Sequence, residues 1–472
     1  MPTGSRRPWT SSTESPGFPG PPRVSEGPTR TAREGSLEAP TRHAIDWNSP
    51  GFWDAAALDR EVGRVFDICH GCRRCFSLCN AFPVLFDHVD SSPSGEVAAV
   101  SKAARWEVVD HCYLCDMCYM SKCPYVPPHE WNVDFPHLML RAKAVRLKEG
   151  GASFRDTVLS STDVVGRIAG IPVVREIVNA ANRSRTGRKL LGGVLGVHPD
   201  ARLPEYHGDT FRKREARRPK PAIEAKPAGG TTGKVALFAT CYGNYNEPDI
   251  VGDLVAILEH NGIPVALAAE ERCCGMPKLE LGDFDAIARL KERNIPALAA
   301  LVAAGHDVLA AVPSCVLMFK RELPLLFPDD PDVRAVAART FDPFEYLMRR
   351  HAEGLLRTDF AASLGALAYQ VPCHLRVQNI GLKTRDLLAL VPGTTLSTIE
   401  RCSGHDGTYA VKREYHEVSM KIARPVVQRV AAEPARQLTS DCPLAGHQIA
   451  AGLADGRQPR HPLSLLRQAY GI

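Results

Sequence analysis

The sequence lacks any uninterrupted apolar stretch that could cross a bilayer. A transmembrane helix needs about 20 consecutive apolar residues, and the nearest candidate, residues 295–318, is interrupted by Gly305, His306 and Asp307. We interpret this stretch as a helix end, a turn and a buried strand. The first 22 residues also lack the apolar run of an export signal. These absences predict a cytoplasmic protein that is soluble or bound peripherally to the inner face of the cell membrane.

Two further absences argue against a nucleic-acid-binding protein and against a dinucleotide-binding site. The net charge is only +5 on 472 residues, whereas nucleic-acid binders carry a larger and clustered positive charge. A Gly-rich dinucleotide fingerprint is also missing, because GVLGVHPDA at residues 193–201 follows a helical pattern and not a strand. We therefore expect no flavin or nicotinamide site in this chain, and a partner that oxidises the organic substrate.

What the sequence has in excess is cysteine, with 15 residues. A reducing cytoplasm keeps thiols free, so dense cysteines there indicate metal ligands or redox chemistry rather than structural disulfides. Eight of the cysteines lie in two short runs, CHGCRRCFSLCN at residues 69–80 and CYLCDMCYMSKCP at residues 112–124.

Both runs resemble the C-x2-C-x2-C-x3-C spacing of two-cluster ferredoxins, where the fourth cysteine of each run binds the other cluster. The first run ends in Asn80 instead of proline, and the second has one additional residue before its last cysteine. The spacing predicts two [4Fe–4S] clusters, the first held by Cys69, Cys72, Cys75 and Cys123 and the second by Cys112, Cys115, Cys118 and Cys79. Zinc is the alternative metal, since structural zinc sites also use C-x2-C pairs. The nearby histidines are expected to be surface or supporting groups: His70, His88 and His111.

Composition and periodicity divide the chain into six predicted segments. They are a disordered extension (1–45), a helical ferredoxin-like domain (46–150), an amphipathic helical connector (151–210), a charged Pro- and Gly-rich linker (211–233) and two cysteine-rich repeats (234–350 and 351–472). The basic run of the linker has an alternative interpretation as a contact with an anionic membrane surface, namely Arg212, Lys213, Arg214, Arg217 and Arg218.

From residue 234 onward, short apolar runs alternate with helical segments, which is typical of βαβ units on a parallel sheet. The predicted strands are KVALFAT, PVALAA and DVLAAVP in the first repeat and GALAYQVP, TTLSTIE and RQLTSD in the second. The predicted fold class is therefore α/β, with an α-helical two-cluster domain followed by two pseudo-repeated βαβ units on parallel sheets.

Cysteines follow the predicted strands of both repeats. The carboxyl ends of parallel strands share one edge of a sheet, where ligands bind, so we expect these thiols to converge on metal sites. Packing as small core residues is the alternative. The candidate ligands are Cys241, Cys273, Cys274 and Cys315 in the first repeat and Cys373, Cys402 and Cys442 in the second. The three thiols of the second repeat leave one metal position for His405, water or an exogenous ligand, and His374 is a further candidate.

The two cysteine runs, followed by CCGMP at residues 273–277 and CSGHDG at residues 402–407, resemble the iron–sulfur subunits related to heterodisulfide reductase. The family repeat usually supplies a Cys, then Cys-Cys-Gly, then C-x2-C. Met318 replaces the last cysteine of the first repeat, and Ser403 and Ala445 replace two cysteines of the second. The loss in the second repeat is a departure from the thiol-cleaving double cluster of the heterodisulfide type.

This resemblance implies electron transfer through the two ferredoxin-type clusters and a centre in the repeats. The implied partners are a flavoprotein dehydrogenase and a quinone or other acceptor. A further iron–sulfur cluster is expected in the first repeat, and either an iron–sulfur cluster or zinc in the second. The alternatives are a self-contained reductase that acts on a disulfide, and a non-redox zinc scaffold.

Overall fold

A computed structural model of the chain describes residues 40–435 and 437–472. Most of the predicted disordered extension, residues 1–39, lies outside the described residues. Residues 40–45 do not fit that prediction, because Arg42 donates hydrogen bonds to Asp116 (2.6 Å) and Asp134 (2.9 Å). The backbone N–H of Ile45 also donates to the Leu325 carbonyl at 2.8 Å. The end of the predicted extension is thus tied to two distant parts of the chain.

The segment with both cysteine runs contains only helical elements. They are short 3-10 helices at Pro50–Trp53 and Val97–Ala99 and five α-helices, α1 (Ala55–Cys72), α2 (Ala81–Asp90), α3 (Lys102–Asp110), α4 (Met117–Ser121) and α5 (Phe135–Gly150). Asp54 caps α1 by accepting from the Ala57 N–H, and α1 ends where Arg73 adopts a left-handed conformation. Side-chain oxygens before a helix satisfy its free N–H groups, which fixes where the helix begins.

Five more helices precede the first sheet. They are α6 (Phe154–Ser160), α7 (Thr162–Ala169), α8 (Pro172–Arg183), α9 (Arg185–Leu195) and α10 (Phe211–Arg217). The last of these lies in the predicted linker, and its Phe211 side chain is 2% exposed. Arg218, just after α10, pairs with Glu215 at 2.8 Å and with Glu259 at 2.6 Å. The first part of the predicted linker is therefore a helix packed on the protein.

The first sheet has four parallel strands in the order β2-β1-β3-β4. The strands are β1 (Val235–Phe238), β2 (Val265–Leu267), β3 (Asp307–Ala310) and β4 (Thr340–Phe341). The intervening helices are α11 (Cys241–Tyr245), α12 (Pro248–His260), α13 (Met276–Leu279), α14 (Phe284–Ala303), α15 (Pro313–Leu317), α16 (Leu323–Leu326), α17 (Pro331–Ala338) and α18 (Pro343–Ala352), with a π-helix at Met318–Glu322. Strands β1 and β3 are buried throughout, as expected for a parallel sheet covered on both faces.

The second sheet has three parallel strands in the order β6-β5-β7. The strands are β5 (Ala366–Gln370), β6 (Thr395–Ile399) and β7 (Gln437–Ser440). Its helices are α19 (Cys373–Arg376), α20 (Lys383–Leu388), α21 (His416–Ala432), α22 (Pro443–Leu453) and α23 (Pro462–Tyr470), with a 3-10 helix at Tyr409–Val411. All six predicted strands are present, and in both sheets the first strand of the repeat lies between the other two.

A single apolar core joins the helical cysteine-run segment to the first sheet. It includes Phe66 and Met139 from the helices and Val308 and Phe319 from the region of the first sheet. Cysteines of both runs and of the first repeat belong to this core or pack against it, as does Cys373. None of the helices in the described ranges is long and apolar enough to cross a membrane.

Candidate metal centres

Four cysteines from the two runs line one pocket at the end of α1. Cys69 and Cys72 lie in the last turn of that helix, Cys75 lies in the turn that follows, and Cys123 comes just after α4. Aromatic rings, such as that of Phe82, also line the pocket. The structure brings together the four cysteines assigned to the first cluster, including the one from the other run. Their role as ligands remains a prediction.

Burial dominates the electrostatics of this first thiol group. It raises the pKa of Cys69 well above its usual value, and the neighbouring Cys123 and Cys75 raise it further. Burial, followed by the neighbouring Cys123 and Cys72, raises the pKa of Cys75 to about 12. Closely spaced buried thiols resist ionisation unless a cation compensates the charge, and metal ions provide that compensation. The donor set and the pocket therefore fit an iron–sulfur cluster.

The second thiol group contains Cys79 from the first run and the triplet of the second run. Burial, followed by the proximity of Cys115 and Cys112, raises the pKa of Cys79. Cys118 has Cys115, Cys112 and Cys79 among its neighbours, together with Cys75 of the first group. The two thiol groups are thus adjacent, as in a two-cluster ferredoxin.

A buried lysine that the sequence did not indicate supports the second group. Lys143 of α5 donates from Nζ to the Cys112 carbonyl, and its ammonium lies 4.4 Å from the centre of the Tyr113 ring. Burial lowers the pKa of Lys143. In the sequence this residue is indistinguishable from the solvated lysines of an amphipathic helix, so only the packing identifies it.

Left-handed backbone conformations shape the second run. Leu114 and Asp116, on either side of Cys115, have φ angles of 55° and 58°. Such angles are uncommon outside glycine and need support from the surroundings. Arg42 provides that support at Asp116, whose two carboxylate oxygens accept from the guanidinium at 2.6 and 3.0 Å. Arg42 therefore positions the second run, which explains why residues 40–45 are ordered.

In the first repeat, four cysteines meet at the carboxyl end of the sheet. Cys241 follows β1, the pair Cys273 and Cys274 follows β2, and Cys315 lies in α15 after β3. Hydrogen bonds with Cys241 and Cys274 hold the pKa of Cys273 well below its usual value. The Thr162 hydroxyl oxygen lies 3.1 Å from Cys241 Sγ and 3.5 Å from Cys273 Sγ. A hydroxyl at this place was not predicted, because Thr162 belongs to the helical connector.

The second repeat has a different arrangement. Hydrogen bonding with Cys115 and Cys402, followed by burial, raises the pKa of Cys373. Cys373 therefore lies beside a cysteine of the second run as well as one of its own repeat. Burial raises the pKa of Cys442 to about 11, and its charged neighbours are Asp441 and Asp406.

Comparison with known proteins assigns the same domain family to the regions of both sheets. The cysteine-rich domain family CCG matches residues 235–320 and again residues 367–450, and each match contains the cysteines of one sheet. The chain belongs to the CCG cysteine-rich domain family. It is 29% identical to an anaerobic glycerol-3-phosphate dehydrogenase subunit of Escherichia coli K12, over 67% of this chain and 77% of that protein.

Two other CCG relatives differ in how much of the chain they match. Lactate utilization protein A of Bacillus pumilus is 30% identical over 38% of this chain and 75% of that protein. A fumarate reductase (CoM/CoB) subunit of Methanothermobacter marburgensis is 23% identical over 79% of this chain and 66% of that protein. The family resemblance predicted from the cysteine motifs is therefore confirmed.

The candidate histidines of the second CCG match have protein neighbours. His374 Nδ1 lies 2.8 Å from Ser314 Oγ. Among the described residues, no hydrogen-bond partner is found for the buried Nε2 of His405. Burial, followed by the nearby His447, lowers the pKa of His405 to about 4. A carboxylate also lies near the thiols, since Asp406 Oδ2 is 3.9 Å from Cys402 Sγ.

The histidines near the two cysteine runs also have protein partners, as expected of supporting groups. His70 Nδ1 lies 2.9 Å from an Arg73 nitrogen, His88 Nε2 lies 2.8 Å from Glu107, and His111 Nδ1 lies 2.7 Å from the Tyr409 hydroxyl.

A single zinc ion and a [4Fe–4S] cluster require different distances between their cysteine ligands. Within the described part of the chain, no three His, Cys, Asp or Glu side chains are placed to hold a single metal ion. A tetrahedral zinc ion with bonds of about 2.3 Å would bring its sulfurs to within about 3.8 Å of one another. The cysteines of a [4Fe–4S] cluster each bind a different iron and stand farther apart. The metal held by the second-repeat candidates Cys373, Cys402, Cys442 and His405 stays a prediction, with iron–sulfur and zinc as the two alternatives.

Proposed function

We propose that this protein is the iron–sulfur electron-transfer subunit of an oxidoreductase complex. Its two ferredoxin-type groups would hold [4Fe–4S] clusters, and the first CCG repeat would hold a further iron–sulfur cluster. The second repeat would hold a metal centre with an incomplete set of cysteine ligands. Electrons would pass between a flavoprotein dehydrogenase partner and a quinone or other acceptor.

The names of the relatives support a role within a larger enzyme. One relative is named as a subunit of an anaerobic glycerol-3-phosphate dehydrogenase and another as a subunit of a fumarate reductase. Both names describe parts of redox enzymes with more than one subunit. The proposed division of labour follows the predicted segments, with the helical segment 46–150 carrying the ferredoxin-type clusters and the two repeats carrying the other centres.

The observation that carries the proposal is the position of Cys115. This cysteine belongs to the second ferredoxin-type group and also hydrogen-bonds with Cys373 of the second repeat. The first and second groups adjoin each other as well, since Cys118 has Cys75 as a neighbour. The candidate centres would therefore form a continuous series from the pocket at the end of α1 to the second repeat, as an electron relay requires.

The surrounding residues would tune the clusters when these are bound. An iron–sulfur cluster supplies one-electron chemistry, and its potential depends on net charge, hydrogen bonding and exposure to solvent. Lys143 Nζ donates a hydrogen bond to the Cys112 carbonyl beside the second group, and Thr162 supplies a hydroxyl to the first-repeat thiols. Both residues would stabilise the reduced, more negatively charged state of a cluster bound beside them.

The first test is the metal content of the full chain purified without oxygen. We expect iron and acid-labile sulfide, and loss of one ferredoxin-type signal in paramagnetic resonance when Cys72 is replaced by serine. Ser77→Ala is the matched control, because Ser77 lies in the turn that follows α1, is exposed and has no predicted ligand role. Zinc in place of iron would reject the relay in favour of the scaffold.

A second measurement separates a subunit from a self-contained reductase. We expect the chain to co-purify with a flavoprotein when it is isolated from its own cells without oxygen. Reduction of a disulfide by the isolated chain, with no such partner present, would favour the heterodisulfide-type alternative.

A further inference from the structure

Large apolar side chains are exposed in one region of the surface. Of the eleven large hydrophobic residues exposed in the described chain, eight lie between residues 154 and 194. Single exposed apolar residues are ordinary, but a concentrated group marks an interaction site. The eight residues are Phe154, Val164, Ile168, Ile171, Val173, Ile177, Leu190 and Val194. They lie on or next to helices α6 to α9, which pack against one another.

The exposed residues follow a helical spacing. Val164 and Ile168 are four residues apart on α7, Val173 and Ile177 on α8, and Leu190 and Val194 on α9. Residues four apart lie on the same face of a helix, so each helix presents one aliphatic row. We call these three rows the aliphatic face.

Small residues hold two of these helices against the protein. A Cβ on Gly166 of α7 would lie 2.5 Å from the Tyr245 ring, and one on Gly192 of α9 would lie 3.0 Å from the Val197 carbonyl oxygen. Both glycines are buried. The helices therefore pack inward through their small side and direct their larger apolar side chains outward, the reverse of an ordinary amphipathic helix on a globular core.

Unpaired positive charge borders the aliphatic face. Residues 154–195 contain seven Lys or Arg and three Asp or Glu. Arg167, Arg185 and Lys189 are exposed, and no ion-pair partner is found for them among the described residues. The basic run near residue 214 differs, because Arg214 pairs with Asp249 at 2.6 Å and Arg212 with Glu271 at 3.1 Å. The free charge is thus beside the aliphatic face and not in the predicted linker.

We propose that the aliphatic face of α7, α8 and α9 binds the surface of an anionic lipid bilayer. The aliphatic rows would enter the boundary between headgroups and acyl chains, and the three free cations would contact anionic headgroups. Lipid is the occupant that the charge favours, because exposed aliphatic rows bordered by unpaired cations are the pattern of helices that lie in an anionic membrane interface. This contact holds the protein on the membrane surface without a spanning helix, and it is independent of the electron relay.

The test is flotation of the full-length holoprotein with vesicles of phosphatidylcholine containing about one third phosphatidylglycerol. We expect binding that weakens in high salt and on vesicles of phosphatidylcholine alone. The combined variant Ile168→Gln, Val173→Gln, Ile177→Gln and Leu190→Gln should bind about tenfold more weakly. Its iron content and circular dichroism should be unchanged, because all four side chains are exposed.

Charge variants provide a matched comparison. Replacing Arg167, Arg185 and Lys189 with glutamine should reduce binding to the anionic vesicles and remove most of its salt dependence. The control replaces Lys421, Arg424 and Arg429 of α21 with glutamine, since these three are also exposed, and it should bind as the wild type does.

Two outcomes would overturn the proposal. The first is that the wild-type protein does not bind the anionic vesicles, or that the two charge variants bind them equally well. The other is unchanged vesicle binding of the apolar variant together with loss of self-association or of a co-purifying protein, which would assign the face to a protein contact. Because vesicle binding is measured without electron transfer, failure of the relay would leave these results interpretable.

Discussion

The two CCG repeats share a strand order but differ in their thiols. In the first repeat, four buried or half-buried cysteines meet at the end of one sheet. The second repeat has three, and Cys373 has Cys115, a cysteine of the ferredoxin-type run, as a hydrogen-bonding neighbour. The two repeats therefore have the same strand order but different arrangements of cysteines. The chain contains the same scaffold twice, with a different set of cysteines at each sheet.

The two repeats also differ in what packs against them. The helical segment packs into the same core as the first sheet and touches Cys373 at the edge of the second. The first repeat has enough thiols for a complete set of cluster ligands. A centre in the second repeat would need further ligands from the helical segment or from the turn at residues 402–406. We infer a closed electron-carrying centre in the first repeat and an open one in the second.

The largest expected effect comes from breaking the first repeat. Cys273→Ser should remove its cluster and lower the iron content by about four atoms per chain. Cys273 is chosen because two other thiols hydrogen-bond with it. Iron analysis and paramagnetic resonance measure the loss. The control is Ser403→Ala in the equivalent turn of the second repeat, and equal iron loss in both variants would remove the distinction between the repeats.

A smaller loss is expected from Cys402→Ala. This change should remove metal from the second repeat and spare both ferredoxin-type clusters, because Cys115 and Cys373 remain. Metal content and the two ferredoxin-type signals should be measured on the same sample. No loss of metal would show that the second repeat is an empty relic, and loss of a ferredoxin-type signal would show that the two sites are not separate.

Restoring cysteines to the second repeat should sharpen the comparison. Ser403 and Ala445 stand where the family has cysteine, and these residues are 7% and 4% exposed. The double variant Ser403→Cys and Ala445→Cys should raise the iron content of the second repeat and make its spectrum resemble that of the first. The added sulfur at the buried Ala445 should cost about 1–3 kcal/mol of stability. Unchanged iron content would mean that cysteine number does not distinguish the repeats.

The smallest effect concerns two neighbouring buried carboxyl groups, Asp342 and Asp441. Asp342 follows β4 and caps α18, accepting from the Phe344 N–H at 2.9 Å. Burial, followed by the nearby Asp441, raises the pKa of Asp342 to about 7. A raised acid pKa means that folding favours the protonated carboxyl, so stability should fall as the pH rises from about 4 through 7.

Asp342→Asn should remove this part of the pH dependence, since asparagine also caps helices. We expect the variant to gain about 1–3 kcal/mol relative to the wild type at pH 8 and little at pH 4. Urea denaturation across that range measures the difference. Asp332→Asn, in the exposed first turn of α17, is the control, and a parallel response of the two variants would contradict the assignment to Asp342.

Much of the fold could be predicted because its signals are local. Strands β1, β2, β3, β5, β6 and β7 are short apolar runs next to helical segments, and the cysteine spacing marks their ends. Strand β4 was missed because it has only two residues, Thr340 and Phe341. The neighbouring residue Asp342 begins a helix, so the sequence around β4 shows no strand pattern.

The features of the candidate sites that the sequence did not predict depend on contacts between residues far apart in the chain. Arg42 lies in a segment of low-complexity composition, and its value to the second run depends on Asp116 and Asp134, which are far along the chain. Lys143 and Thr162 reach the cysteines only through helix packing. The proximity of Cys115 to Cys373 has the same origin, because no spacing rule relates a ferredoxin-type run to the second repeat.

The central claim is that the thiol groups hold reducible clusters that form one relay. A stepwise reductive titration of the anaerobic protein, followed by paramagnetic resonance, tests it most directly. We expect signals from both ferredoxin-type clusters and at least one further iron centre, with magnetic coupling between the second ferredoxin-type cluster and the centre near Cys373. Stoichiometric zinc with no reducible signal, or isolated clusters without coupling, would contradict it.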